Sequence, residues 1–125
     1  VVVYMPEISK THMGGTQRLG LRPTIFQPNT ESSLVRKLYD NKVEIDERYR
    51  HRYEVNLDHV ALFEEKGLKF VARDDTGERM EIAELDDHPF FVGCQYHPEY
   101  LTRPLRPHPV FRGFVGAASR QLDQL

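Results

Sequence analysis

The stretch VGCQYHPEY, residues 92 to 100, holds Cys94, His97 and Glu99. A thiol, an imidazole and a carboxylate are the groups used for acyl transfer to a nucleophilic cysteine. A histidine works as a general base when its other ring nitrogen is held by a partner. On an extended chain, residue i+2 points to the same side as residue i. Pro98 favours that conformation by pushing His97 into the extended region. The spacing therefore predicts that His97 and Glu99 lie side by side, with the carboxylate orienting the ring. The competing account is a surface turn in which Pro98 merely ends a strand. The tripeptide by itself leaves both open.

Cys94 does not complete the set. It lies three positions before His97 on the same apparent strand, so the two side chains project from opposite faces. A nucleophile also needs an exposed, glycine-flanked turn that opens onto a helix N-terminus and its oxyanion donors. Cys94 follows Gly93 but has strand on both sides, and is expected to be a small buried apolar residue. On the catalytic account, the stretch offers a base and an orienter but no nucleophile.

The elements that must position this pair follow from local patterns. VVVYM at the start reads as a buried strand of the kind common in parallel sheets. PEISKTHMGGTQRLG is a glycine-containing loop, and LRPTIF a strand that Pro23 makes an edge or irregular one. Ser32 or Ser33 is placed to cap a short helix, LVRKLYD. ERYRHRYEV alternates, with Tyr49, His51, Tyr53 and Val55 on one face and Arg48, Arg50, Arg52 and Glu54 on the other. DHVALFEEKG is a helix with Asp58 as N-cap and Gly67 as its stop. LKFVARD and RMEIAEL flank a turn at DTGE and form a β-hairpin. PFFVGCQY is a strand apolar enough to be central, and VFRGFVGAASRQLDQL a closing amphipathic helix. This order is an α/β layout with antiparallel character in the middle. In open sheets of that class, ligands bind at the C-terminal strand ends, where His97 would sit.

Composition sets the outer limits. The 125 residues fit one domain, 39% hydrophobic and 29% charged, with a formal net charge of −2. There is no basic excess for nucleic acid and no run of about 20 apolar residues for a membrane helix. One cysteine excludes an internal disulfide framework and suits a reducing, intracellular setting. VVVYMPE has no features of a signal peptide. The chain opens on an apolar strand without an initiating Met, as expected of part of a longer polypeptide.

MGGTQRLG (13–20), ERYRHRYEVN (47–56), GERMEIAELDDHPFFVGCQYHPEY (77–100) and TRPLRPHP (102–109) together resemble the C-terminal part of the CTP synthases. The match runs in order along nearly the whole chain. MGGT-RLG and RHRYEVN are more specific than HPE, which the triad-type (class I) glutamine amidotransferases share. The resemblance implies a flavodoxin-like α/β glutaminase fold, of which this chain is the C-terminal portion. It implies a Cys-His-Glu triad in which His97 is the base and Glu99 the orienter. The nucleophilic cysteine and oxyanion hole are expected upstream of these residues. Arg52 matches the family's glutamine-binding arginine, a role suited to a fixed, always charged, bidentate guanidinium. A solvated basic strand face, or a structural pair with Glu54, would account for an arginine there without any ligand.

The resemblance further implies L-glutamine as substrate, ammonia as product, and a separate synthetase domain that uses ATP, Mg2+ and UTP. It implies a cytoplasmic homo-oligomer, a tetramer by family habit, with no cofactor or metal in this segment. Gln17, Tyr100 and Tyr4 depart from the usual family pattern without removing a catalytic group. Competing readings are another class I glutaminase or γ-glutamyl hydrolase, and a catalytically silent assembly module. A nucleic-acid strand at RYRHRY is disfavoured because its tyrosines and arginines fall on opposite faces. The histidines at 12, 51, 88 and 97 match no metal-ligand spacing.

Overall fold

The computed structural model describes residues 1–5 and 17–125. In chain order its elements are β1 (Val2–Tyr4), β2 (Arg18–Phe26), α1 (Leu34–Leu38), β3 (Glu44–His51), β4 (Tyr53–Val55), α2 (Val60–Glu65), β5 (Leu68–Arg73), β6 (Met80–Leu85), β7 (Val92–Cys94) and α3 (Pro109–Ala118). A five-stranded sheet has the order β3-β2-β5-β6-β7, and β1 and β4 form a separate pair. Every ladder is antiparallel. Most of the HMGGTQRLG loop, with His12, lies outside the described residues.

Several elements form for the reasons their residues suggest. Pro23 is tolerated because β2 pairs with β3 along its length but meets β5 only at Ile25 and Phe26, so most of its other edge carries no ladder. The β5–β6 hairpin turns around Asp74, whose carboxylate accepts from Thr76 Oγ1 and from the Arg79 amide. Gly77 supplies the positive φ of 78° that closes the turn. Ser33, not Ser32, caps α1 by accepting from the Arg36 amide at 3.1 Å.

Other expectations are corrected. The long alternating strand breaks at Arg52, so β3 stays in the large sheet and β4 crosses to β1. Alternation holds within β3, where Ile45, Glu47 and Tyr49 face inward. β1 is not a buried strand of a parallel sheet: its one ladder is with β4, and Val2 is 57% exposed. Strand propensity is local, whereas burial depends on what packs over the strand. β7 is an edge strand and only three residues long, not a central one. Asn56, not Asp58, caps the turn that leads into α2, accepting from the Asp58 amide at 3.1 Å.

The core divides between the two faces of the sheet. Val35 and Tyr39 at α1 and Val110 of α3 pack with Phe26, Ile45, Tyr49, Val71, Ile82 and Tyr96. Val60 of α2 packs with Phe70 and Met80, and Phe63 meets Phe70 edge-on. α3 turns small residues inward: a Cβ at Gly113 would overlap Leu38 Cδ1 and come within 3.0 Å of Phe90. This close approach sets the α1–α3 spacing and leaves Phe114 and Val115 on the outer side.

Ser33 joins α1 to β6 as well as capping it, because its hydroxyl donates to Glu84 Oε2 at 3.0 Å. Ser33→Ala removes the cap and one donor from a buried carboxylate. It should destabilise the fold by about 2 kcal/mol in a urea titration. A change within ~0.5 kcal/mol would show that the cap and this link contribute little.

Candidate active site

The chain leaves β7 and crosses towards the opposite edge of the curled sheet. Gln95 N donates to Glu81 O at 2.9 Å, and two residues on His97 N donates to Arg48 O of β3, also at 2.9 Å. His97 is extended, with φ −105° and ψ 96°, as a residue before proline should be. The chain then turns into a short 3-10 helix, Pro98–Tyr100, with proline at its first position.

This turn, not an extended chain, brings His97 and Glu99 together. His97 caps the turn from outside it while Glu99 lies within it, so the contact forms through a tighter geometry than the i, i+2 spacing of a strand. Nδ1 of His97 and Oε1 of Glu99 are 2.6 Å apart. The hydrogen bond from His97 holds the Glu99 carboxyl below its usual range, so that group is an acceptor. Nδ1 therefore carries the proton, and in the neutral ring Nε2 has the free lone pair. The ring stacks on Tyr100 with centroids 4.8 Å apart and planes 18° apart, and the His97 side chain remains 36% exposed. Arg103 fixes the far end of the turn by donating to the Tyr100 and Thr102 carbonyls at 3.0 and 2.7 Å.

Arg52 is not part of this contact set. It occupies the bend between β3 and β4, four residues along the chain from the Arg48 carbonyl that holds His97. Its Nε is shielded from solvent and meets no hydrogen-bond partner among the described residues. Glu54, the alternative structural partner, is instead bound by Arg79 Nε at 2.9 Å. Arg48 and Arg50 line an open cleft of ≈ 950 Å³ whose other wall includes Tyr100 and Leu101. Tyr49 is buried, so the RYRHRY pattern offers no base-stacking platform there.

Cys94 lies against the main core, and its thiol donates to the Tyr96 carbonyl at 3.6 Å. Burial pushes the thiol up to about 11. A nucleophile needs the opposite shift, so the surroundings of Cys94 exclude it; the expectation of strand on both sides is corrected, because β7 ends at Cys94 and does not run on to His97. Among the described residues no group of three or more His, Cys, Asp or Glu is arranged to hold a metal ion, and no helix is long and apolar enough to cross a membrane.

A second group of polar residues, beneath the turn, was not singled out from the sequence. Glu47, His108, Tyr39 and Tyr96 are all buried and hydrogen-bonded to one another. One signal for it was available: Glu47 shares the parity of Ile45 and Tyr49 on β3, so a charged residue falls on the inward face.

Residues 2–117 match the model of the class-I glutamine amidotransferases, and the chain belongs to that family. Within it, the chain is 58% identical to the CTP synthase of Eremothecium gossypii across all 125 residues, which are 22% of that protein. It is 57% identical to the CTP synthase of Schizosaccharomyces pombe over 124 residues, 99% of this chain and 21% of that one. Its fold superimposes on the glutaminase domain of Trypanosoma brucei CTPS with bound acivicin, with a TM-score of 0.87 and 31% identity. That match covers 97% of this chain and 46% of the other. The chain thus spans about a fifth of the length of these CTP synthases, and the expected glutamine amidotransferase fold is the one it has.

The buried thiol has a direct readout. Between pH 7 and 8, Cys94 should react with iodoacetamide roughly two orders of magnitude more slowly than an exposed thiol of ordinary pKa, its rate still rising above pH 9. Peptide mapping that finds fast labelling of Cys94 at pH 7.5 would contradict its place in the core.

Proposed function

We propose that this chain is the base-bearing part of the glutamine-hydrolysing unit of a CTP-forming enzyme. The observation that carries the reading is the His97–Glu99 contact, on a chain 57–58% identical along its length to CTP synthases. Cys94 is the chain's one cysteine and is held protonated by burial. The nucleophilic thiol is therefore supplied by residues outside these 125.

In the proposed reaction, His97 Nε2 takes the thiol proton as sulfur attacks the side-chain amide carbon of glutamine. The tetrahedral intermediate collapses when the imidazolium returns that proton to the leaving nitrogen, and ammonia departs. Water then adds to the thioester, with Nε2 taking its proton, and the C–S bond breaks. Glutamate is released and the proton passes back to the thiolate. The sum is glutamine plus water giving glutamate plus ammonia. Glu99 keeps Nδ1 protonated and steadies the imidazolium that forms in each half.

Arg52 is assigned the α-carboxylate of glutamine, because its shielded Nε meets no acceptor among the described residues and a carboxylate is a natural acceptor for it. ATP, Mg2+ and UTP are assigned to a synthetase part that aminates the pyrimidine with the ammonia. The complete enzyme would be a cytoplasmic homo-oligomer, a tetramer by family resemblance.

His97→Ala in the full-length protein should lower glutamine-dependent CTP formation by ~10²–10⁴-fold and leave ammonia-driven synthesis within about twofold. Equal loss of both would argue against the role given to His97. Glutamine hydrolysis without CTP formation by the parent protein would point to another class I glutaminase, and absence of both to an assembly module. Arg52→Lys keeps the charge but loses the fork. It should raise the KM for glutamine about tenfold or more with kcat little changed. An unchanged KM would remove Arg52 from the substrate site.

A further inference from the structure

We propose that Glu47 and His108 act as a positioning pair for the His97–Glu99 dyad, a role that rests on the glutaminase reading above. Both are almost fully buried, at 2% and 3% exposure, and neither touches the cleft beside Tyr100.

Three contacts hold the dyad's turn, two running to this pair and one to the residue beside it. The residue before His97 is Tyr96. Tyr39 donates its one hydroxyl proton to Glu47 Oε1 at 2.7 Å, so Tyr96, 3.0 Å from Tyr39 Oη, is the donor to it. Two residues beyond the turn, Thr102 Oγ1 accepts from the His108 amide at 3.1 Å. Under the turn, the carbonyl of Arg48, next to Glu47 on β3, accepts from the His97 amide at 2.9 Å. The histidine–glutamate turn is thus held before, behind and beneath: through Tyr96 and Tyr39 to the Glu47 carboxylate, through Thr102 to the His108 backbone, and by the Arg48 carbonyl beside Glu47.

The pair itself is joined by one contact, His108 Nε2 to Glu47 Oε1 at 2.7 Å. The ring's protonation is decided by its other nitrogen. His108 Nδ1 accepts from the Val110 amide at 3.2 Å, capping α3, so Nε2–H is the donor to Glu47. The two ring nitrogens therefore have separate roles, since Nδ1 starts the helix and Nε2 holds the carboxylate. Glu47 Oε2 has no hydrogen-bond partner among the described residues, so the carboxylate is fixed through Oε1 alone.

These two roles can be separated by substitution. Asparagine places an acceptor near the Nδ1 position and keeps the cap, but does not reach Glu47. Glutamine places a donor near the Nε2 position and keeps the link, but loses the cap. In the full-length protein, His108→Asn should lower the glutamine-dependent kcat at least about tenfold. KM for glutamine and the ammonia-driven rate should stay within about twofold, because only the placement of the base is disturbed. His108→Gln should recover most of that kcat despite a lower melting temperature. Tyr96→Phe, which deletes one hydroxyl without changing shape, should lower kcat by about fivefold, the equivalent of one ordinary hydrogen bond. It decides the matter if His108→Asn does not fold.

The pair is purely structural, and the proposal overturned, if His97→Ala is inactive with glutamine while His108→Asn and Tyr96→Phe keep the parent kcat. The same holds if kcat in the two His108 variants simply follows their melting temperatures. If His97→Ala retains glutamine-dependent activity, the glutaminase reading fails, and the positioning role fails with it.

Discussion

The hydrogen bond from the His97 amide to the Arg48 carbonyl is the constraint on which the arrangement depends. β3 and β7 are opposite edges of the five-stranded sheet, and in a flat sheet they would be far apart. Strand twist curls the sheet, and the β5–β6 register shifts at Phe70 and Ala72 add to the bend. The chain leaving β7 therefore arrives beside β3. The contact is made by backbone groups, so it fixes where His97 sits whatever its side chain does. The pre-proline geometry then directs the chain into the 3-10 turn, and the turn delivers Glu99 to Nδ1.

A single backbone hydrogen bond contributes about 1 kcal/mol, too little to hold an exposed turn rigidly. What lies beneath it matters more. Glu47 is a buried carboxylate, and burying a charge costs several kcal/mol unless donors surround it. Tyr39 and His108 supply those donors, and burial keeps the Tyr39 hydroxyl protonated far above ordinary pH. An apolar residue in place of Glu47 would avoid the desolvation cost. It would not tie α1, β3 and the start of α3 to one point, because apolar packing is non-directional.

The sequence was most legible where a local rule decides the outcome. The β5–β6 hairpin, a serine cap at 32 or 33 and the stop at Gly67 each follow from one or two residues and their neighbours. The pairing of His97 with Glu99 was legible for a partly mistaken reason: the residue types and Pro98 were informative, but the contact forms through a turn. What needed the three-dimensional structure was long-range. Nothing in VVVYM distinguishes a strand buried on both faces from one paired only with β4. The break at Arg52 is invisible in an alternation that continues through it, because the switch between sheets depends on what β1 offers β4. Glu47 and His108 are 61 positions apart, and only the curl of the sheet makes them neighbours.

The division between exposed and buried parts has a physical logic. His97 and Glu99 side chains are 36% and 52% exposed, so water competes for their hydrogen bond and the contact contributes little stability. Glu99 can orient the ring, but it cannot anchor the turn. A base, the role proposed for His97, must nevertheless be placed to within a fraction of an ångström of the proton it moves. In the proposed positioning role, that precision comes from groups that water does not reach, those around Glu47. Reactivity needs a ring with one nitrogen free and accessible, while rigidity needs polar groups fully paired and out of solvent. No single histidine meets both demands; in the proposed roles His97 meets the first and His108 the second.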